Sequence, residues 1–512
     1  MQIKRNLSVL LIYPDFIEAT KHIKNIPGNY NEGLASISAV LKSAGHEVSL
    51  YHLRYMPDKE EFITHIRSGN PDIIGISVRT SALSYVAEFS SWLNTELPEI
   101  YVMAGMYHAS LAPEDVIALP GVDAVCIGEG EIACLEFIEY YAEHGEPKLN
   151  AESFWIKSNG AIHKNPVKPF IEDLDSLPFP DLDLFDYENL RSNLQQNTAE
   201  VILGRGCVYS CTYCANAQLR NIYPEKKNYT RFRSPERSIQ LLQRVLEKDP
   251  NIEFFSFNDA ILNVYEDWFY TFTALYKEKI KKKFVCNLRF DLLNERMIKE
   301  LADAGCYLVT IGLEIGNEEY RKKYLYRVMD NEHIVNVSHT LKKHNIIVNS
   351  YNIIGLPHET LELTLETIKL NARMHTDNVV ISLFYPYPST KLREIAEEGG
   401  FLPPHIDPND PIQLVMPEYP RHDIIYARYS FMTLMKMYRK LFASYTGDEL
   451  KRKVDILDKK ILSKHHPRHF IGIVRKTKHE FNVSAKRIAS RYLPALYKGL
   501  RGLRDRRNAG KR

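Results

Sequence analysis

The sequence of 512 residues has few cysteines, almost no excess charge and no long hydrophobic run. Seven cysteines are too few for a disulfide scaffold, and a net charge of +2 gives no overall field that attracts nucleic acid. No stretch approaches the roughly 20 apolar residues of a membrane span, and Pro14 interrupts the N-terminal apolar run before it reaches signal-peptide length. We therefore expect a reduced, cytoplasmic protein without a nucleic-acid partner. Four scattered cysteines have the apolar surroundings of buried free thiols: Cys126, Cys134, Cys286 and Cys306.

The length predicts more than one domain. Residues 1–150 alternate five short apolar runs with helical patterns, which predicts a doubly wound, Rossmann-like α/β domain with a parallel sheet. Such domains bind ligands beyond the carboxyl ends of their strands. The residues alone leave open an ordinary flavodoxin-like domain. The small or polar candidates after the strands are Ser77, Thr80, Ser81, Gly105, His108, Gly128 and Gly130.

Several motifs occur in a recognisable order: the helical pattern EGLASISAVLKSAGHEV, Gly-Glu-Gly-Glu at residues 128–131 and Leu-Pro-Phe-Pro at 177–180. They resemble the N-terminal cobalamin-binding domain of class B radical S-adenosylmethionine (SAM) enzymes. The resemblance implies that the seven strand-end candidates contact cobalamin. None of the 18 histidines has aspartate two positions before it, so no Asp-x-His-x-x-Gly lower ligand is expected. Met106 departs from the family, which often has two glycines here, and its side chain would crowd the cobalamin tail.

The composition changes after this domain. Residues 151–198 predict a linker that contains a small hairpin turning at Asn159-Gly160. Residues 199–400 contain six further strand–helix units, which predict a partial (β/α)6 barrel with its chemistry at the carboxyl ends of the strands. Residues 401–512 predict a helical region in which core packing explains the Met and aromatic residues.

The C-terminal tail is basic. From Phe481 onward, ten Lys or Arg residues stand against Asp505 alone. A basic amphipathic helix binds anionic membrane surfaces, but the pattern leaves open a solvated tail. The apolar stripe within the tail consists of Ile488, Tyr492, Leu496, Leu500 and Leu503.

Three cysteines, Cys207, Cys211 and Cys214, lie just after the first strand of the second series. Structural zinc needs a fourth ligand, and the next cysteine is Cys286. Three thiolates fit three irons of a [4Fe-4S] cluster and leave the fourth iron open. The amino and carboxylate groups of SAM suit that open site. The spacing favours such a cluster, although the triplet alone leaves zinc open.

The Cys-x3-Cys-x2-Cys spacing and the later elements FFSFNDAIL, LRFD, IGLEIGN, NIIGLPHET and FYPYPSTKL follow successive strands. Together they resemble the core of the radical SAM superfamily over residues 199–400. Two departures are an Asn-Asp pair in place of Gly-Gly-Glu and Ser389 in place of glycine. The resemblance implies SAM contacts from Tyr213, Asn258, Asp259, Arg289, Glu314, Gly355 and Glu359.

The resemblance implies a cobalamin-dependent radical SAM enzyme. A reduced cluster would cleave SAM to a 5′-deoxyadenosyl radical, and methyl transfer to an unactivated carbon would follow. One alternative is a non-methylating enzyme such as the oxidative cyclase of bacteriochlorophyll synthesis, and another is an enzyme whose first domain is a vestigial interaction module. The expected partners are a hydrophobic small-molecule substrate, a flavodoxin- or ferredoxin-type electron donor and a membrane surface contacted by the tail.

Overall fold

The computed structural model describes residues 5–18, 21–24, 26–404, 406–407, 410–463 and 465–492, with residues 195 and 484–492 described by backbone alone. Within these residues the strands form sheets of seven, six and two. None of the described helices is long and apolar enough to cross a membrane. The side chains of the predicted tail stripe all lie outside the described residues.

The first sheet has the strand order β2-β1-β3-β4-β5-β6-β7. The five predicted apolar runs form its parallel strands, so the doubly wound arrangement is confirmed. The predicted hairpin adds two antiparallel strands to the edge, and both turn residues, Asn159 and Gly160, have positive φ. The strands are β1 Ser8–Pro14, β2 Glu47–Leu53, β3 Ile73–Ser77, β4 Tyr101–Gly105, β5 Ala124–Cys126, β6 Phe154–Ser158 and β7 Ala161–Lys164. The helices are α1 Glu32–Ser43, α2 Lys59–Gly69, α3 Leu83–Glu96, α4 Tyr107–Leu111, α5 Pro113–Ile117 and α6 Glu131–His144.

Helices cover both faces of this sheet. On one face, α1 begins where the Asn31 side chain accepts a hydrogen bond from the Leu34 amide, at 3.1 Å. Leu34 and Leu41 of α1 and Phe137 of α6 are buried in the same core. A second core lies on the opposite face, beneath α2 and α3. The sheet is therefore buried on both sides, and its strand ends are left for ligands.

The second large sheet is parallel and curled, in the order β15-β14-β13-β12-β11-β8. Because β8 and β15 are its two edges, it forms the predicted partial barrel, while β9 and β10 pair separately near the end of β8. The strands are β8 Thr198–Val201, β9 Gly204–Arg205, β10 Arg231–Phe232, β11 Phe254–Phe257, β12 Lys283–Leu288, β13 Cys306–Glu314, β14 Ile347–Ile354 and β15 Asn378–Leu383. The helices are α7 Arg191–Gln196, α8 Ala215–Asn221, α9 Pro235–Lys248, α10 Glu266–Lys279, α11 Glu295–Asp303, α12 Glu318–Leu325, α13 Asn331–Lys343, α14 Leu361–Arg373 and α15 Lys391–Glu398.

The C-terminal region is helical, as predicted: α16 is Arg421–Ser444, α17 is Gly447–Leu462 and α18 is Arg468–Tyr492. Met435 and most of the aromatic residues of α16 pack into a core shared with β14, β15 and α14, whereas Met432 and Met437 are exposed. Phe431 and Tyr438, for example, are fully buried. Core packing therefore accounts for the pattern.

Candidate active site

The three clustered cysteines lie on the loop between β9 and α8. Gly206, at the start of this loop, has φ 84°, and a Cβ there would collide with the Tyr229 carbonyl oxygen. Thr212, between the second and third cysteines, donates its hydroxyl to the Tyr324 carbonyl at 2.6 Å. The loop is therefore fixed at both ends against neighbouring backbone. Cys211 is buried, and Cys207 and Cys214 are half-buried.

Burial and mutual proximity favour the protonated form of the Cys207 and Cys214 thiols in the apoprotein. Burial raises the pKa of Cys207, and it raises the pKa of Cys214 to about 11. Negative charge on Cys211 raises both pKa values further, so the thiols are close enough to interact. Iron binding would displace these protons. Among the described residues, no group of three His, Cys, Asp or Glu side chains is placed to hold a single metal ion.

A buried arginine beside these thiols escaped the sequence analysis. Arg327 lies 3.6 Å from the Cys211 sulfur and 3.4 Å from the Tyr213 hydroxyl, and it also donates to the Gly312 carbonyl. The charge of Arg327 acts to lower the pKa of Cys207 and so favours its thiolate, the form that binds iron. No local motif identifies Arg327, because Cys211 lies 116 positions before it.

Tyr213 and Glu314 meet at the same place. The Tyr213 hydroxyl donates to the Glu314 carboxylate at 2.8 Å. Glu314 ends β13 with φ 65°, in the left-handed region that few residues other than glycine adopt. Burial raises the pKa of its carboxyl group, while Arg327 and Tyr213 oppose that rise. The backbone thus directs an acidic side chain toward the cysteine loop.

Arg289 supplies a second cation near the thiols. It binds Asp291 with two bonds of 2.7 Å and lies 3.9 Å above the ring of Tyr209, which is within the cysteine loop. Its Nη1 atom is buried and has no hydrogen-bond partner among the residues described. A buried donor without an acceptor is costly, so this atom suits an anionic ligand group such as a carboxylate.

Asp259 has a local role that the sequence did not predict. Its carboxylate accepts hydrogen bonds from the Leu203 and Gly204 amides, at 3.0 and 2.6 Å, and thereby holds the backbone that leads to the cysteines. Burial raises its pKa to about 7. Asn258 lies beside it on the border of a cavity. Contact of either residue with SAM stays a prediction.

Glu359 has a comparable role. Its carboxylate accepts hydrogen bonds from the amides of Gly355, at 2.7 Å, and Leu356, at 3.0 Å, and from the Thr364 hydroxyl. Gly355 has φ 83°, so the turn needs glycine, and burial raises the pKa of Glu359 to about 7. The element predicted to lie beside adenine is thus a turn held from within by its own glutamate.

Replacing Glu359 with glutamine should reduce the pH dependence of stability. The carboxyl pKa is 4.5 ordinarily and about 7 in the fold, so the folded state binds the proton more tightly than the unfolded chain does. The protonated Glu359 carboxyl group therefore stabilises the fold fully below pH 4.5, and this stabilisation is lost as the pH rises to about 7. The loss lowers the free energy of unfolding by about 3 kcal/mol. The check is urea denaturation of the apoprotein across this pH range. The same change at exposed Glu319 is the control, and equal pH dependence in wild type and Glu359→Gln would contradict the expectation.

A cavity of about 530 Å³ lies where the two large sheets meet. Its walls come from the ends of β3 and β4, from α1 and α6, and from the segments after β8 and β11. Six of the predicted ligand contacts line it: Ser77, Gly105, Gly128, Gly130, Asn258 and Asp259. The other eight lie outside its lining: the cobalamin candidates Thr80, Ser81 and His108, and the SAM candidates Tyr213, Arg289, Glu314, Gly355 and Glu359. The buried His108 ring instead contacts the Thr80 hydroxyl, at 3.1 Å.

Two glycines of this cavity allow close packing of its walls, and a third leaves open space beside the backbone. A Cβ at Gly75 would lie 3.0 Å from Leu11, and one at Gly130 would lie 3.0 Å from Ile37, both tighter than ordinary packing. A Cβ at Gly105 would meet no atom closer than 3.7 Å and would occupy cavity space instead. This cradle fits a large ligand such as cobalamin.

Met106 adopts the backbone conformation of a glycine. Its φ of 87° and ψ of −167° fall in a region that is almost exclusive to glycine. Its sulfur accepts a hydrogen bond from the Ser77 hydroxyl, and its side chain lines the cavity. The loop therefore follows the path that a second glycine would give, and the added thioether narrows the cavity.

The Gly-Glu-Gly-Glu element joins the first domain to the cysteine loop. Arg205, two positions before Cys207, pairs with Glu131, and Arg231 pairs with Glu129. Burial acts to raise the pKa of Glu131, but the charge and the hydrogen bond of Arg205, together with a hydrogen bond from Ser36, outweigh it, so the pKa is lowered. The two glutamates of the motif thus hold β9 and β10 against the first sheet.

A third buried pair joins the same domains. Glu32, at the start of α1, accepts a hydrogen bond from the Ile202 amide at 2.7 Å and pairs with Arg233 at 3.2 Å. Burial raises the pKa of Glu32, although Arg233 opposes the rise. Charged groups from both domains therefore enclose the cavity on its barrel side.

Family comparisons agree with this geometry. The model of the Radical SAM superfamily matches residues 201–370, and the model of the B12 binding domain matches residues 29–138. The chain belongs to the class B radical SAM enzymes. For this class B enzyme, the radical SAM match implies a [4Fe-4S] cluster and SAM, and the B12-binding match implies cobalamin.

Curated relatives of this class B enzyme include two kinds. The chain is 25% identical over 402 residues to an uncharacterised methyltransferase of Pyrococcus horikoshii. This alignment covers 77% of the chain and 84% of the relative. The chain is also 24% identical over 399 residues to the anaerobic magnesium-protoporphyrin IX monomethyl ester cyclase of Rubrivivax gelatinosus. This second alignment covers 75% of the chain and 69% of the cyclase.

Solved structures show the same fold. The radical SAM methyltransferase TsrM of Kitasatospora setae, with cobalamin and a [4Fe-4S] cluster bound, matches with a TM-score of 0.60 at 16% identity and covers 77% of this chain and 75% of its own. The cobalamin-dependent SAM radical enzyme OxsB, with aqua-cobalamin and SAM bound, matches with a TM-score of 0.65 at 15% identity. The match covers 99% of this chain and 82% of the OxsB chain.

Proposed function

We propose that this chain is a cobalamin-dependent radical SAM methyltransferase that acts at a carbon atom of a small-molecule substrate. The supporting observation is the shared cavity, because strand ends of the first sheet and the backbone leading to the cysteine loop border one space. An enzyme that uses both cofactors on one substrate needs this arrangement. We propose residues 1–150 as the cobalamin domain and residues 199–400 as the barrel.

We propose that Cys207, Cys211 and Cys214 hold the cluster. When bound, the cluster supplies the electron that cleaves SAM, and cobalamin carries the methyl group. The protein's own groups bind and orient these cofactors. The unpartnered donor of Arg289 suits the SAM carboxylate, while Arg327 balances negative charge at the thiolates. The other SAM contacts we propose are Tyr213, Asn258 and Glu314, while Asp259, Gly355 and Glu359 shape the backbone around them.

One observation favours a cobalamin-binding first domain over the alternative in which that domain is a vestigial interaction module. The first domain retains a cavity with glycine-lined walls, although Met106 narrows it. The features of the site described above are equally compatible with the cyclase alternative, and the relatives include both a methyltransferase and a cyclase. Product analysis therefore has to separate methyl transfer from cyclisation.

The test is anaerobic reconstitution with iron, sulfide and hydroxocobalamin, followed by reduction in the presence of SAM and candidate substrates. Methyl transfer predicts S-adenosylhomocysteine together with 5′-deoxyadenosine. 5′-Deoxyadenosine alone would indicate the cyclase type. A purified protein without a corrin absorption band would overturn the cobalamin proposal.

The substrate we propose is polar, which differs from the hydrophobic substrate expected from composition. Four neutral polar side chains lie side by side across the curled sheet: Asn287, Thr310, Asn349 and Asn378. Their neighbours along β12, β13 and β14 are buried, so the four face the opposite side of the sheet. Asn378 donates to Asn349 at 2.8 Å. Such a row suits a ligand with hydroxyl or amide groups.

We also propose two partners. A flavodoxin- or ferredoxin-type protein would supply the single electron that reduces the cluster. The basic C-terminal region would contact a membrane surface, which is supported by its charge and by the exposed face of α18.

A further inference from the structure

Helix α18 has an exposed apolar stripe. Phe470 is 68% exposed, Ile473 46%, Val474 48% and Phe481 72%. These positions recur at helical spacing and therefore lie on one side of the helix. The same spacing continues in the sequence at Ile488 and Tyr492. A contiguous stripe of this kind marks an interaction surface more often than scattered apolar residues do.

The opposite side of α18 packs on the protein. Gly472 lies so close to α16 that a Cβ would come within 3.2 Å of the Tyr426 backbone. Arg468 binds Asp423 of α16 at 2.6 Å, and Ile471 packs against the C-terminal core. The stripe is therefore presented outward by a helix that is fixed along its inner side.

Charge in this region is strongly segregated. Residues 468–512 contain 14 of the 66 Lys and Arg residues but two of the 64 acidic residues, Glu480 and Asp505. The rest of the chain is consequently acidic overall, although the whole carries a net charge of only +2. Lys476 and Lys478 follow the first turns of the stripe. Excess positive charge beside exposed phenylalanines complements an anionic bilayer, where aromatic rings enter the interface and lysines meet lipid phosphates.

We propose that α18 lies in the plane of an anionic membrane surface and docks the enzyme there through Phe470, Ile473, Val474 and Phe481. Apolar burial supplies part of the binding, and the basic residues supply the rest. The docking needs none of the three cofactors, so its outcome is independent of the proposed chemistry.

The test is flotation of the full chain with vesicles of phosphatidylcholine, with and without phosphatidylglycerol. We expect the protein to float with the mixed vesicles, less so at high salt, and weakly with phosphatidylcholine alone. Combining Phe470→Ser with Phe481→Ser should lower the vesicle partition coefficient by about tenfold or more. Both side chains are exposed, so the variant should fold normally, which circular dichroism checks.

The matched control combines Val415→Ser with Ile456→Ser, which removes two other exposed apolar side chains, 67% and 54% exposed. We expect this variant to float like the wild type. Three results would each overturn the proposal: no flotation with the anionic vesicles, equal flotation of the Phe470→Ser/Phe481→Ser variant, or a dimer in solution that this variant abolishes. The last result would assign the stripe to a second copy of the chain.

Discussion

Replacing Cys211 with alanine is expected to abolish the reductive cleavage of SAM, with a loss of more than about 10³-fold. Cys211 is the most buried of the three clustered cysteines and the one beside Arg327. With two thiolates left, the loop no longer supplies a ligand to each of three irons. Iron content and 5′-deoxyadenosine formation after anaerobic reconstitution measure the effect.

Cys306→Ala is the matched control, because Cys306 is a buried cysteine of the same barrel that lies away from the loop. We expect that variant to bind iron and cleave SAM as the wild type does. Full iron content and normal cleavage in Cys211→Ala would show that the triplet is not the cluster site.

Replacing Arg205 with methionine is expected to destabilise the apoprotein by about 3 to 5 kcal/mol, because it leaves the buried Glu131 carboxylate without its partner. Arg205 also lies two positions before Cys207, so the reconstituted variant should retain less iron. Urea denaturation measures the first effect and iron analysis the second. A double-mutant cycle with Glu131→Gln isolates the coupling of the pair.

An exposed ion pair supplies the control for this cycle. Lys299 and Asp303 pair on the surface of α11, and Lys299→Met should leave the urea midpoint unchanged. If Arg205→Met were as stable as the wild type and retained its iron, the buried pair would not be what holds the cysteine loop against the first domain.

The sequence was sufficient to predict both sheets. Most of the parallel strands lie in short apolar runs between turn residues, and the hairpin has the Asn-Gly pair that its turn requires. The central parallel strands of the first sheet are buried on both faces and give a strong local signal, since most residues in them are apolar. The three cysteines were equally clear, because their spacing is local.

The arginines could not be predicted in the same way. Arg205 and Glu131 are 74 positions apart, and Arg327 and Cys211 are 116 apart. One sequence contains no signal that two distant charged residues meet in a buried interface. The Gly-Glu-Gly-Glu motif is a partial signal, because two glutamates in a buried loop need partners, but the expected ligand contacts involve only its glycines, Gly128 and Gly130.

A sequence motif at a strand end also predicts where a residue lies but not which way its side chain points. His108, Thr80 and Ser81 follow the strands as expected, yet they lie outside the cavity lining. Asp259 and Glu359 are predicted to contact SAM, and the structure adds that their carboxylates accept hydrogen bonds from backbone amides. The side-chain direction in a loop depends on φ and ψ at each residue, which a motif does not specify.

Met106 is a second residue whose backbone conformation and side-chain position the sequence does not reveal. The sequence shows a missing glycine, whereas the structure shows that the backbone keeps the glycine conformation and places the thioether in the cavity. The departure from the family therefore alters the shape of the cavity rather than the path of the chain.

Electron paramagnetic resonance of the reduced, anaerobically reconstituted protein tests the central claim most directly. The claim is that three cysteines of one loop hold a [4Fe-4S] cluster whose fourth iron accepts SAM. The account predicts a cluster signal that changes when SAM is added. Bound zinc in place of iron, or a cluster signal unaltered by SAM, would contradict it.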